Sequence, residues 1–311
     1  MLSRYHASID PNEENNSHTA MLRMVGFNKR VLEAGCASGH VSERLNAQGC
    51  TVVGVEIEAD IVEPAAQWLE RAIIGNVEEG SLWAELGDER FDVILFGDVL
   101  EHLKDPLFTL RESAKHLAPS GTVVISAPNI AHADVKIALI NGDFPYSEDG
   151  LLDRTHIHFF TKDSLIELIR EAGMAVVEIS RITVPAFETE LGVGRDDVDT
   201  ATLESILRDR ESETYQFVVK ATRDDANHSI DDLSYKLVEL TDLLLDETKR
   251  AAMLKAENDA LVGEITELRD QRNEHLRDLE QLRGQREAIK RMLPGPIVRL
   301  AKGRFGVTGR D

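Results

Sequence analysis

Val31-Leu-Glu-Ala-Gly-Cys-Ala-Ser-Gly39 decides how this chain is read. Val31 to Glu33 has the apolar character of a buried strand end, Gly35 to Gly39 reads as a tight loop, and His40 to Leu45 opens a helix. Such a loop brings bare backbone close to a ligand at the carboxyl edge of an open α/β sheet. The dinucleotide fingerprint G-x-G-x-x-G fails here, because Ala37 and His40 stand at its second and third glycine positions. No G-x-x-x-x-G-K-[ST] run is present either. What remains is a carboxylate before the loop, Glu33, and another after the next strand, Glu56 in Thr51-Val-Val-Gly-Val-Glu-Ile57. Glu56 can accept two ribose hydroxyls, and Glu33 can hold a cationic or amine-bearing ligand. A nucleoside with an amino-acid tail fits this pair better than a pyrophosphate, which two carboxylates repel.

Outward from the loop, strand and helix patterns alternate. Strands are expected at Arg30–Glu33, Thr51–Glu56, Ala72–Ile74, Phe91–Phe96 and Thr122–Ala127. Helices are expected at Val41–Gln48, Ile61–Glu70 and Phe108–Leu117, with a short turn near Leu82–Leu86. β-branched runs between helical stretches imply a parallel sheet covered on both faces. Pro119-Ser-Gly121 reads as a turn before the fifth strand. Thr161 should cap a helix ended by Gly173. Ala175–Ile182 and Thr214–Lys220 are the sixth and seventh strands, with a helical patch at Thr202–Arg210 between them. Ahead of the sheet, Ser17 or Thr19 should cap a short apolar helix.

The order Glu33-x-Gly35-x-Ala37-x-Gly39, Glu56, then Phe91-Asp-Val-Ile-Leu-Phe-Gly-Asp-Val-Leu-Glu-His-Leu-Lys-Asp-Pro106 is similar to class I S-adenosylmethionine-dependent methyltransferases. It resembles in particular the small-molecule branch that includes ubiquinone-biosynthesis O-methyltransferases, over roughly residues 15 to 222. Two departures stand out: Ala37, where many members have Gly, and Asn76, where an Asp facing the adenine amine is common. The resemblance implies a seven-stranded, doubly wound Rossmann-like α/β sheet whose last strand is antiparallel. It implies S-adenosyl-L-methionine as cofactor, held by Glu33, Gly35, Cys36, Ala37, Gly39, Glu56, Ile57, Asn76, Asp98 and Val99. It also implies an N-terminal segment (1–28) closing over the methyl donor, a methyltransferase domain at 29–222, and a substrate wall at 129–160.

Methyl transfer is mainly a matter of in-line positioning, and a general base helps when the acceptor is an alcohol. His102 is the first candidate for that base, followed by His132 and His156, with His18 behind them. Asp98, Glu101, His102 and Asp105 crowd eight residues after the fourth strand, although Asp105-Pro106 also reads as an N-cap and N1 pair. His156 and His158 would share one side of a strand, but no third ligand follows at metal-binding spacing, so no metal is expected. Cys36 reads as a small filler in the ligand loop. By analogy the acceptor is a small-molecule or glycan hydroxyl, as in surface-polysaccharide or lipid-linked sugar synthesis. The competing expectation is a coiled-coil scaffold with a non-catalytic head.

From Ile230 the period changes. Heptad position a falls at Ile230, Leu237, Leu244, Ala251, Asn258, Ile265, Arg272, Leu279 and Arg286. Position d falls at Leu233, Leu240, Glu247, Leu254, Leu261, Leu268, His275, Leu282 and Ile289. A coiled coil over 230–292, about 90 Å long at ~1.5 Å per residue, is expected to form a parallel homodimer after a linker at 223–229. The end, 293–311, is basic (Arg299, Lys302, Arg304, Arg310) and could touch an acidic partner or an anionic membrane.

The net charge is −21; residues 224–311 hold 15 basic and 18 acidic residues, leaving 20 and 38 for residues 1–223. An acidic head disfavours a nucleic-acid substrate. Two cysteines, no signal-like segment and no apolar run of ~20 residues suggest a cytoplasmic protein, peripheral at most to a membrane.

Overall fold

The computed structural model describes residues 15–224 and 228–292. Seven strands form one sheet in the order β3-β2-β1-β4-β5-β7-β6. They are β1 Arg30–Ala34, β2 Thr51–Glu56, β3 Arg71–Ile74, β4 Phe91–Gly97, β5 Leu117–Pro128, β6 Met174–Thr183 and β7 Thr214–Arg223. β1 to β5 run parallel, and β7 lies antiparallel between β5 and β6. The chain moves outward from β1 to β3, then returns to place β4 on the other side of β1. That reversal opens a crevice at the carboxyl ends of β1 and β4. Val31, Leu32, Val53, Val55, Ile94, Leu95, Val123 and Ile125 are all buried, as expected for a sheet covered on both faces.

The helices are α1 Ser17–Val25, α2 His40–Ala47, α3 Ala59–Val62, α4 Gly80–Leu86, α5 Pro106–Lys115, α6 Ala133–Ile140, α7 Lys162–Glu171 and α8 Thr200–Leu207. The cap of α1 is Asn16, whose Oδ1 accepts from Thr19 N at 3.2 Å, rather than Ser17 or Thr19. Met21, Leu22, Met24 and Val25 of α1 are buried with Val31, Val93 and Val124, so this segment is part of the core. The single helix expected at Ile61–Glu70 is instead the short α3 and a 3₁₀ turn at Glu63–Trp68 with Pro64 at its start. A proline there removes a donor that a continuous helix would need. The expected turn at Pro119–Gly121 is a bulge inside β5: Phe91 pairs with Leu117, but Val93 pairs with Thr122. Gly121 is required at that bulge, where a Cβ would stand 2.8 Å from Phe91 O. Asp105 does cap α5, accepting from Phe108 N at 2.9 Å.

α9, His228–Met292, is a single helix of 65 residues. Contacts divide the chain into two units that meet at Leu240–Thr241, within this helix. Among the described residues no helix is long and apolar enough to cross a membrane. The basic tail and the first 14 residues fall outside the described residues.

Candidate functional site

One cavity of about 460 Å³ opens at the carboxyl ends of β1 to β4. Glu33, Gly35, Cys36, Ala37, Glu56, Ile57, Asn76, Asp98, Val99 and His102 all line it. Gly39 lies just behind it, where a Cβ would stand 2.7 Å from Ala65. A Cβ on Gly35 would meet Val99 Cγ2 at 2.9 Å. Both glycines therefore let the loop pack against neighbouring segments, which in turn shapes the cavity. Both also have positive φ, 68° and 86°. Ala37 has φ 44° and carries the left-handed conformation without being glycine.

Glu56 ties the site together. Its Oε2 accepts from Ala37 N at 3.0 Å, and its Oε1 from Ile57 N at 2.8 Å and Glu58 N at 3.2 Å. The carboxylate thus fixes the first loop to the end of β2, and its remaining lone pairs can take ligand hydroxyls. Glu33 is buried and accepts from Ser42 Oγ of α2. Burial pushes its carboxyl up to about 8, the Ser42 bond opposes that, and Glu56 adds to it. Burial likewise raises the Cys36 thiol, reinforced by Glu33 and Glu56, so Cys36 is a neutral filler. Asn76 Oδ1 accepts from Glu78 N at 2.9 Å, which leaves the amide donors to face a base edge.

The other side of the cavity holds titratable groups from distant segments. Asp98, at the end of β4, has φ 55°, and its Oδ1 accepts from Ser126 Oγ at 2.7 Å and Gln216 Nε2 at 2.5 Å. His18 reaches the cavity from α1. Burial holds its pKa below the usual imidazole range, against the pull of Asp98. His102 Nδ1 lies 3.3 Å from Thr155 O and 3.2 Å from Thr155 Oγ1. His156, a candidate base, does not itself line the cavity; it stands behind His102, edge-on to it, with ring centroids 4.8 Å apart. Burial lowers its pKa, and the neighbouring His102 lowers it further. The backbone oxygen of Glu101 accepts from both Ile157 N (2.9 Å) and His158 N (3.0 Å), which stitches this segment to the turn after β4.

Glu101 is 1% exposed, and neither of its buried carboxyl oxygens has a hydrogen-bond partner. One ligating atom each from Glu101, His102 and His156 lie within 4.8 Å of one another. One carboxylate and two imidazoles could hold a divalent cation. His158, weighed as the second ligand from sequence, points elsewhere, its Nε2 3.4 Å from Lys104 O.

His132 is not at the cavity. It is fully buried, its Nε2 donates to Val184 O at 2.9 Å, and its Nδ1 accepts from Asp134 N at 3.1 Å as the N-cap of α6. Both ring nitrogens are spent, so this candidate base is a structural residue. Sequence reasoning did not find Gln216, Ser126 or Thr155; they lie 118, 28 and 53 residues from the groups they contact.

Comparison with known proteins agrees with this geometry. Residues 13–179 match the family model described as a methyltransferase domain. A ubiquinone biosynthesis O-methyltransferase of Cereibacter sphaeroides is 30% identical over 154 residues, covering 48% of this chain and 61% of that protein. A protein of the same name from Pseudomonas fluorescens is 32% identical over 163 residues, covering 50% and 68%. The chain thus aligns with about three fifths of the length of the first of these relatives. In fold it is similar to a SAM-dependent methyltransferase from Archaeoglobus fulgidus, with TM-score 0.50 and 19% identity over 68% of this chain and 97% of that one. With the strand order, the acid–glycine loop and the family match in agreement, the chain belongs to the methyltransferase domain family.

Proposed function

We propose that the chain transfers a methyl group from S-adenosyl-L-methionine, the donor of this family, to a hydroxyl of an acceptor. The observation that carries this reading is a single cavity bounded on one side by Glu33, Glu56 and Asn76 and on the other by His18, Asp98 and His102. The first group fits the donor. Glu56 offers lone pairs to ribose hydroxyls, Asn76 a donor to the adenine edge, and Glu33 a buried carboxyl that gives up its proton to face the cationic tail. The donor supplies an electrophilic methyl on sulfur; the chain supplies position and a proton acceptor. His102 is the base in this reading: Thr155 holds its Nδ1, so Nε2 is the atom that would take the hydroxyl proton. An oxygen acceptor is supported by the relatives, which are ubiquinone biosynthesis O-methyltransferases and favour a small molecule over a glycan.

A second reading of the same site is favoured by the buried Glu101 carboxyl, which lacks a hydrogen-bond partner beside two imidazoles. Glu101, His102 and His156 would hold a divalent cation, whose Lewis acidity lowers the pKa of a nearby hydroxyl.

Calorimetric titration with S-adenosylmethionine and S-adenosylhomocysteine, with Glu56→Ala as control, tests donor use. Micromolar binding abolished by Glu56→Ala is expected. A folded protein that binds neither compound refutes the enzyme and leaves the scaffold. Turnover on phenolic and sugar hydroxyls, before and after chelation by EDTA with divalent ions added back, separates the acceptors and the two roles of His102.

A further inference from the structure

Among the described residues, α9 carries an exposed apolar seam. From position 247 to 289 every described side chain is exposed, including Leu254 at 58%, Leu261 at 51%, Leu268 at 57% and Leu282 at 59%. These leucines all occupy position d of one heptad register. Gly263 and Gly284, each of which weakens an exposed helix by about 1 kcal/mol, both fall at position f, the face opposite the seam. A helix of this composition draws its stability from packing rather than from propensity.

We propose that the seam is covered by the α9 of a second copy of this chain, as a parallel, in-register two-stranded coiled coil. Between Ala251 and Leu268 the seam is apolar except for Asn258 at position a. In register, Asn258 meets its own twin, and each amide donates to the other's carbonyl. A shift of one heptad sets it against Ala251 and Ile265, and an antiparallel pairing centred there sets it against Leu254 or Leu261, unsatisfied in each case. Charge at the flanks agrees. Position g to e′ pairs Glu264 with Arg269 and Asp278 with Arg283, two attractive pairings against the one repulsive pairing of Arg250 with Lys255, all doubled by symmetry. A seam with leucine at d and a single asparagine at a selects two strands rather than three.

Sedimentation equilibrium of the full chain reads the outcome. The wild type is expected at twice the chain mass, and the double variant Leu254→Asp, Leu261→Asp at one chain mass with its near-ultraviolet circular dichroism unchanged. Leu282→Cys tests direction: under mild oxidation it is expected to cross-link into a covalent dimer, because position 282 faces its twin only in a parallel pair. The wild type, whose Cys36 and Cys50 are buried, should not cross-link. A single-mass wild type, including one that instead sediments with anionic vesicles, overturns the proposal. So does a mass of three chains or more, or a dimer in which Leu282→Cys fails to cross-link.

Discussion

Replacing Glu33 with Gln should make the protein more stable and worse at holding its donor. Glu33 is buried, with one hydroxyl from Ser42 and the Glu56 carboxylate nearby, and its carboxyl titrates at about 8 rather than at the 4.5 of an unfolded chain. Between those two values the folded state binds a proton that the unfolded state has lost. Stability from this group is therefore full below about 4.5 and falls as pH rises towards 8. At ~1.36 kcal/mol for each pH unit above 4.5, the ionisable group costs the fold about 3 kcal/mol at pH 7. Glu33→Gln keeps the shape and can still accept from Ser42, so it should recover on the order of that amount. Urea unfolding of both proteins from pH 5 to 8.5 is the assay. The two curves should lie close together at pH 5 and diverge steadily, the variant becoming the more stable. Parallel curves, or a variant less stable throughout, would refute the reasoning. A cationic donor beside Glu33 should also release a proton on binding, measurable as a calorimetric heat that varies with the ionisation enthalpy of the buffer.

Three further outcomes follow from named contacts. Ala37→Gly should stabilise the chain by about 1 kcal/mol, because alanine at φ 44° is strained and glycine is not; thermal unfolding reads it. Arg181→Met should cost about 3 kcal/mol in chemical denaturation, since it strips Glu211 of a two-pronged guanidinium at 2.9 Å while leaving the buried carboxylate beside Lys162. In the wild type, Arg181 and Thr214 hold the Glu211 carboxyl below its usual range against the effect of burial. That share of stability is present above about pH 4.5 and is lost as pH falls through the lowered value, a loss that Arg181→Met should blunt. Thr155→Val should lower kcat with little change in donor affinity, because Thr155 Oγ1 touches His102 Nδ1 and not the Glu56 side of the cavity; steady-state kinetics with a calorimetric donor titration checks it.

The centre of the sheet was legible because β1, β2, β4 and the middle of β5 are buried on both faces. Runs such as Phe91–Phe96 carry a local signal that needs no knowledge of their partners. The side of the cavity proposed for the donor draws on one short stretch: Glu33, Gly35 and Glu56, which line it, fall within 24 residues from the end of β1 to the end of β2. The side proposed for the acceptor does not. Thr155 meets His102 across 53 residues, and Gln216 meets Asp98 across 118, and neither pair leaves a spacing to read. His132 misled for a different reason. It caps α6 through Nδ1, a task that sequence patterns assign to Ser, Thr, Asp or Asn, so its reactive side chain stood out while its structural role did not. The metal-capable cluster was missed because its third member, Glu101, sits beside His102 in sequence but meets His156 only through the fold.

The single carbonyl of Glu101 that receives both Ile157 N and His158 N has a consequence for engineering acceptor choice. The family resemblance implies an acceptor wall at 129–160, and on that reading the simplest exchange of specificity between relatives grafts this segment alone. Here its last residues and the turn after β4 form one hydrogen-bonded piece, so a donor segment bred against a different turn would arrive with its histidine out of register. The transferable cassette is therefore discontinuous: residues 98–102 must travel with the insertion, and a graft that respects this joint should keep its chemistry while its specificity changes.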